Sequence, residues 1–363
     1  MELGIIGQAR SGKTSLFNAV TRGSAAVGAY TSTSEPNVGT VRVPDPRVDA
    51  LAAIFHPKKT TYAEIRWVDY PIAGFGPEGP GARFVADIAQ LDALVHVVRA
   101  FEDPSVPHAE GSVDPHRDLE ALELELQFAD LALIERRIER LAAEMRSVRA
   151  GERGELERQQ VLMQRLQAHL EGGAGLRSFS LSETEEKELR NYRFVTRLPE
   201  LLIVNIGEDR LADAAAIERE FGERYGDKGT AVAALCAKVE AELATMDPTE
   251  AADFRAELGL PDESPLDRAI RLAYDLLGLQ SFLTAGEDEC RAWTVEQGAT
   301  APEAAGKIHT DLERGFIRAE VASYEDLVDA GSMAELKKRG RLRTEGKSYV
   351  VQDGDVLNIL FNV

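Results

Sequence analysis

The chain has 363 residues, 44% of them hydrophobic, enough for two or three domains with buried cores and no covalent staples. A formal net charge of −20 excludes a protein that coats nucleic acid through its overall field, so any RNA contact has to be local. The 2 cysteines, Cys236 and Cys290, match neither a disulfide framework nor a zinc spacing, which points to a reducing, cytoplasmic setting. No basic leader and no apolar run of membrane length occurs, so nothing is expected to target the chain or anchor it to a membrane.

The first predicted elements are a strand at Leu3 to Ile6 and a helix at Thr14 to Thr21, with Leu16, Phe17 and Val20 at helical spacing. Between them lies Gly7-Gln8-Ala9-Arg10-Ser11-Gly12-Lys13-Thr14, the pattern Gly-x-x-x-x-Gly-Lys-Thr in the strand–loop–helix context its mechanism requires. Glycine at both ends lets the backbone wrap a phosphate without Cβ clashes, and amides at the helix N-terminus point at the anion. Arg10, Ser11, Gly12, Lys13, Thr14 and Ser15 are therefore expected to bind the phosphates of a nucleoside triphosphate. Lys13 should act in catalysis on the β- and γ-phosphates, and Thr14 on Mg²⁺.

Downstream, the hydroxyl-rich segment Thr31 to Asn37 reads as a switch-like loop, with Thr33 the expected second metal ligand or, on the alternative reading, a solvated loop residue. The strand Glu64 to Asp69 ends in a carboxylate placed to reach Mg²⁺ through water. Ras-like enzymes follow Asp-x-x-Gly with a water-orienting glutamine. Here the spacing to Gly74 is longer and Phe75 cannot polarise water. After the strand Ala93 to Arg99, His108 becomes the nearest candidate to position water, the alternative being an exposed loop histidine without a role.

From Asp118 to Leu170 the composition becomes helical, with Ile134, Ile138, Leu141, Met145 and Val148 in one series and Leu156, Met163, Leu166 and Leu170 in a second, separated by Gly151 and Gly154. Two long antiparallel helices are expected to project as an arm, the alternative being a lid flat on the sheet. The sheet resumes near Phe194, and its strand Glu200 to Asn205 runs into Asn205-Ile206-Gly207-Glu208. Guanine-specific sites carry Asn-Lys-x-Asp there, whose Asp accepts two guanine donors; the longer Glu208 fits that geometry poorly, which favours ATP. Asn205, Ile206, Glu208, Cys236 and Ala237 are assigned to the nucleotide pocket.

Beyond Thr284 short alternating segments, Arg291 to Val295, Phe316 to Val321, Ser348 to Val351 and Val356 to Phe361, predict a small β-rich domain. It carries the basic residues Lys337, Lys338, Arg339, Arg341, Arg343 and Lys347, an RNA-contact candidate or a solvated loop. The expected fold class is α/β. A doubly wound P-loop nucleotide-binding domain spans 1–117 and 194–283, an inserted coiled-coil hairpin 118–193, and a β-rich domain 284–363.

Over essentially its whole length the chain resembles the YchF-type, Obg-like ATPases. The resemblance rests on Glu35-Pro36-Asn37-Val38-Gly39, Pro44-Asp45-Pro46-Arg47, His96 to Asp103, Asn205-x-x-Glu208, Arg291-Ala292-Trp293-Thr294, His309-Thr310-Asp311, Arg314 to Ala319 and Val351 to Val356. It implies a C-terminal TGS domain of β-grasp fold, ATP preferred over GTP, a hydrophobic replacement for the catalytic glutamine, a catalytic role at His108, and association with the ribosome or its RNA through the TGS domain and arm. A monomer is expected. The sequence departs from the family at Arg10-Ser11, where Asn-Val is usual, at Tyr70 to Gly74, which carries extra residues, and in a shortened glycine-rich stretch beyond. A translation-factor-type GTPase and a nucleotide-binding module with little hydrolysis are the competing readings.

Overall fold

The structure is a computed structural model and describes residues 1–23, 36–70, 75–76, 79–108, 110–147, 153–226, 229–261 and 263–362. It divides into two compact units, Met1–Gly39 with Arg66–Ala269 and Thr40–Ile65 with Ile270–Val363. The chain opens with β1 (Glu2–Ile6), α1 (Lys13–Thr21) and β2 (Asn37–Arg42), continues through α2 (Pro46–Phe55) and β3 (Lys59–Thr61), and returns as β4 (Glu64–Asp69). A short ribbon, β5 (Phe75–Gly76) and β6 (Gly79–Pro80), precedes α3 (Ala82–Ile88) and β7 (Ala93–Ala100). The arm is α4 (Pro115–Ser147) and α5 (Arg153–Glu171). Then come α6 (Glu183–Leu189), β8 (Glu200–Ile206), α7 (Ala214–Tyr225), β9 (Thr230–Leu235), α8 (Ala237–Thr245), α9 (Pro248–Glu257) and α10 (Pro265–Leu276).

The first sheet has the order β2-β4-β1-β7-β8-β9. β1 pairs in parallel with β4 and β7, and β7, β8 and β9 continue in parallel. Strands covered on both faces must be apolar nearly throughout, and β8 is buried at every position from Glu200 to Ile206. Parallel registers Ile5↔Asp69, Arg99↔Asn205 and Asn205↔Leu235 bring the C-terminal strand ends to one edge, where α/β sheets bind ligands. β2 and β9 were not legible as strands, because Asn37–Arg42 is half exposed and Thr230–Leu235 is half alanine.

The root of α4 and its outer turns belong to different cores. Leu122 and Leu126 pack with Ile6, Val68, Ile88 and Leu94 on the sheet. From Ile134 outward the partners are Leu162, Met163, Leu166 and Leu170 of α5 with Leu176, Leu189 and Phe194. That separation supports a projecting arm over a flat lid. Asp130, 0% exposed, ties the return segment to the arm by accepting from Val195 N, Thr196 N and Thr196 Oγ1 at 2.9, 2.8 and 2.7 Å. Val148, expected to close the first helical series, lies outside the described residues.

The second unit is a sheet of order β13-β12-β14-β10-β11-β3, built from β10 (Leu279–Thr284), β11 (Glu289–Glu296), α11 (Ala301–Ile308), α12 (Thr310–Arg314), β12 (Phe316–Ser323), α13 (Tyr324–Ala330), α14 (Met333–Lys338), β13 (Arg343–Glu345) and β14 (Asp355–Phe361). α11 starts from a Thr300–Glu303 capping box and lays Ala301, Ala304 and Ala305 on Phe282, Val295, Phe316 and Leu357. The segment Ser348 to Val351 is not a strand. It turns at Tyr349 N to Gly346 O and keeps one bridge, Thr300↔Val350. β3, a Lys-Thr-Thr triplet without apolar alternation, is extended because β11 supplies its partner. Among the described residues no helix is long and apolar enough to cross a membrane.

Candidate functional site

The phosphate loop leaves β1 after Ile6 and needs both glycines. Gly7 has φ +143°, and a Cβ there would meet the Val97 carbonyl oxygen at 2.3 Å; Gly12 has φ +97°, and a Cβ there would meet Asn205 Nδ2 at 2.1 Å. Arg10 takes a left-handed φ of 63°, which costs an L-residue ~1 kcal/mol. Gly12 caps α1 without a side-chain bond and the first turn carries no acid, so its amides stay oriented toward an anion. Lys13 is buried, and its Nζ donates to the carbonyls of Gly7 and Gln8 at 2.8 and 2.7 Å. Burial pushes its ammonium down to about 8, opposed by the Asp69 carboxylate. Ser11 is buried while Ser15 is half-buried.

Thr14 Oγ1 donates to Asp69 Oδ2 at 2.9 Å, and Asn37 Nδ2 approaches the same oxygen at 3.4 Å. Burial pushes the Asp69 carboxyl up, opposed by the Thr14 hydroxyl, Lys13 and Asn37. A buried carboxylate and a hydroxyl sharing one point are a hard-oxygen donor set that suits Mg²⁺. Thr33, Gly74 and the side chain of Phe75 lie outside the described residues.

His108 is drawn toward the arm. Its Nε2 lies 2.7 Å from Asp118 Oδ2, and its Nδ1 accepts from Glu110 N at 3.1 Å. Its side chain is 6% exposed, so the loop histidine is neither exposed nor unoccupied. Arg117 Nε and Nη2 hold Asp118 Oδ1 at 3.0 and 2.8 Å. Arg10 Nη1 donates to Pro107 O at 2.8 Å, and Gln8 Nε2 to Asp118 O at 3.5 Å. The arm root, the histidine loop and the phosphate loop are thus joined by hydrogen bonds.

At the end of β8, Asn205 Nδ2 donates to Ser11 O at 2.9 Å and its Oδ1 accepts from Ala237 N at 3.0 Å. One side chain braces the phosphate loop against the start of α8. Ile206 and Cys236 are buried in the core with Val204 and Ala234. Glu208 is exposed and paired with Lys238 Nζ at 2.6 Å. Sequence reading missed Lys238; its place two residues after Cys236 was the available signal.

A second buried polar group was also missed. His96, Glu123 and Glu200 bring ligand atoms within 4.8 Å of one another. The Arg177 guanidinium contacts Glu200 and lies 3.5 Å from Glu123 Oε1, so the group is an ion-pair network and not a cation hole. Burial and Glu200 push Glu123 up; Glu200, despite its own burial, is held down by Arg177 and His96. In the second unit, the basic cluster is largely paired: Lys338 and Arg339 with Glu335, Arg339 and Arg341 with Asp329, Arg341 with Asp326 and Arg343 with Glu345 and Asp355.

A family model, YchF-GTPase_C, described as a protein of unknown function (DUF933), matches residues 279–362. The Ribosome-binding ATPase YchF of Bacillus subtilis (strain 168) is 41% identical over 368 residues, covering 99% of each chain. That of Mycoplasma genitalium is 37% identical over 372 residues, covering 100% of each. A solved structure, the Schizosaccharomyces pombe YchF GTPase, superposes with TM-score 0.85 at 30% identity, covering 99% of this chain and 97% of that one. A phosphate loop at the C-terminal edge of a parallel sheet, an inserted helical hairpin and likeness over the full length agree, and the chain belongs to the YchF family.

Proposed function

We propose that this protein is a Mg²⁺-dependent ATPase that prefers ATP to GTP and acts as a ribosome-associated switch. The observation that carries the reading is the end of β8, where Asn205 braces the phosphate loop and Glu208 stands where a guanine site needs a shorter carboxylate. The bacterial relatives are named Ribosome-binding ATPase, which supports it.

On this reading Lys13 leaves the carbonyls of Gly7 and Gln8 for the β- and γ-phosphates, while Ser11 to Ser15 cradle them. Thr14 and Asp69, with Thr33, would hold Mg²⁺, which when bound neutralises charge on the phosphate oxygens. Arg10 adds a cation beside the phosphates, and His108 orients water where Phe75 cannot. Ile206, Cys236 and Ala237 line the base pocket, and Glu208 accepts from the base's exocyclic amino group. The arm and the C-terminal β-grasp unit dock a monomer on the ribosome in the cytoplasm.

Titration of labelled ATP and GTP tests the base assignment: tighter GTP binding by tenfold, about 1.4 kcal/mol, overturns it. The solved relative from Schizosaccharomyces pombe is named a GTPase, which is the reason to run both arms. Single-turnover hydrolysis that Lys13→Ala abolishes excludes a module that only binds. Charge reversal at Lys337, Lys338 and Arg341 should weaken ribosome co-sedimentation and its salt dependence; unchanged sedimentation assigns docking elsewhere.

A further inference from the structure

The arm helix meets the histidine loop through one carboxylate. Asp118, in the first turn of α4 and 3% exposed, offers Oδ2 to His108 Nε2 at 2.7 Å while Arg117 occupies Oδ1 at 3.0 and 2.8 Å. The Glu110 amide donates to His108 Nδ1 at 3.1 Å. A nitrogen that accepts from an N–H carries no proton, so in the neutral ring the proton sits on Nε2, facing the carboxylate. The tautomer is set from both sides.

We propose that Asp118 is the positioning residue for His108 in nucleotide hydrolysis. It fixes the ring and keeps the proton on Nε2, which reserves the Nδ1 lone pair for the attacking water. The Glu110 amide occupies that lone pair at 3.1 Å, and in hydrolysis the water takes its place as the donor. The inference rests on the hydrolytic reading of His108. In the step itself, the water oxygen bonds to the γ-phosphorus as the β–γ bridging bond breaks, and the water proton leaves with the phosphate formed. His108 contributes an accepted hydrogen bond and Asp118 the orientation of that acceptor. Because Gln8 Nε2 reaches the Asp118 carbonyl at 3.5 Å and Arg10 holds Pro107 O at 2.8 Å, the arm root and phosphate loop share this geometry. A partner that shifts α4 thereby moves the acceptor relative to the phosphates.

The test is a double-mutant cycle on the full chain, with His108→Ala, Asp118→Asn and the double variant measured for kcat and KM with ATP. Asparagine matches the volume of aspartate but no longer fixes the tautomer. Each single variant should lose about tenfold or more in kcat with KM nearly unchanged, and the double variant should be no worse than His108→Ala alone. ¹⁵N imidazole NMR should show the Nε2–H tautomer for His108 in the wild type and its loss in Asp118→Asn. Wild-type turnover in Asp118→Asn beside an impaired His108→Ala overturns the positioning role alone. Multiplied losses in the double variant, or an Nδ1–H tautomer in the unmutated protein, do the same. Full turnover in His108→Ala overturns the assignment of His108 on which the inference stands.

Discussion

The two ends of the proposed nucleotide site are built differently. At the phosphate end Lys13 and Asp69 are buried, and Lys13 is satisfied by the loop's own carbonyls. At the end of β8 Glu208 and Lys238 have side chains 54% and 70% exposed and pair with each other. Interactions in a desolvated, preformed cradle are strong, whereas an exposed ion pair contributes at most ~1 kcal/mol. Affinity should therefore reside at the phosphates and base choice should be shallow. Asn205 couples the ends, since one amide touches both Ser11 and Ala237.

That contrast can be broken in graded steps. Lys13→Ala should have the largest effect, a loss of roughly 100-fold or more in ATP affinity by titration, because a point charge on the phosphates is removed. Gly12→Val should weaken ATP about tenfold or more and lower Tm, since its Cβ would fall 2.1 Å from Asn205 Nδ2 and the residue keeps a φ of +97°. Asn205→Ala should cost about 1–3 kcal/mol in thermal or denaturant unfolding and weaken ATP and GTP alike. Glu208→Asp should move the ATP-to-GTP ratio by only about threefold, toward GTP. A shift of a hundredfold there would show that the base end dominates after all.

The buried network away from the nucleotide predicts a pH signature. Burial and Glu200 push the Glu123 carboxyl well above the usual carboxylate range, so the folded state binds more protons than the unfolded one between the ordinary and the raised value. Stability contributed by that group is present at low pH and lost as pH rises through this window. Glu123→Gln, which keeps the shape without the ionisation, should raise Tm at pH 8.5 by a few degrees and change it little at pH 4.5. An equal change at both pH values would remove Glu123 as the titrating group.

The residues most legible in the sequence were those whose neighbours in sequence are also their neighbours in space. Gly7 to Thr14 form one local turn, Ile134 and Leu141 one helical face, and Glu64 to Asp69 one apolar run. What escaped depended on partners far along the chain. Asp118 could be read as the start of an arm but not as the partner of His108, because the approach of α4 to that loop is set by the packing of Leu122 and Leu126 on the sheet. Likewise His96, Glu123, Arg177 and Glu200 come from four separate segments and meet only once the sheet and arm are assembled. Three of the acids that pair the basic cluster near residue 340, Asp326, Asp329 and Asp355, stand outside the basic run, so their part in it was not legible from the run itself.

β3 and α2 set an order of events during synthesis. β3 completes the edge of a sheet whose other strands begin at Leu279, and Arg47 Nη1 donates to Asp353 Oδ2 across 306 positions at 2.7 Å. At about 5–20 residues per second, that partner emerges roughly 15–60 s after Arg47. Over that interval α2, which carries Val48 and Leu51, buried by 99% or more in the finished molecule, lacks its packing partners β11 and α13. Bringing such distant segments together costs ~5 kcal/mol in loop entropy from the length-dependent part alone, unless the intervening domain has already folded and shortened the span. Folding of the intervening unit shortens the span that the second unit must close, and a chain cut before Leu279 would leave α2 without β11 and α13.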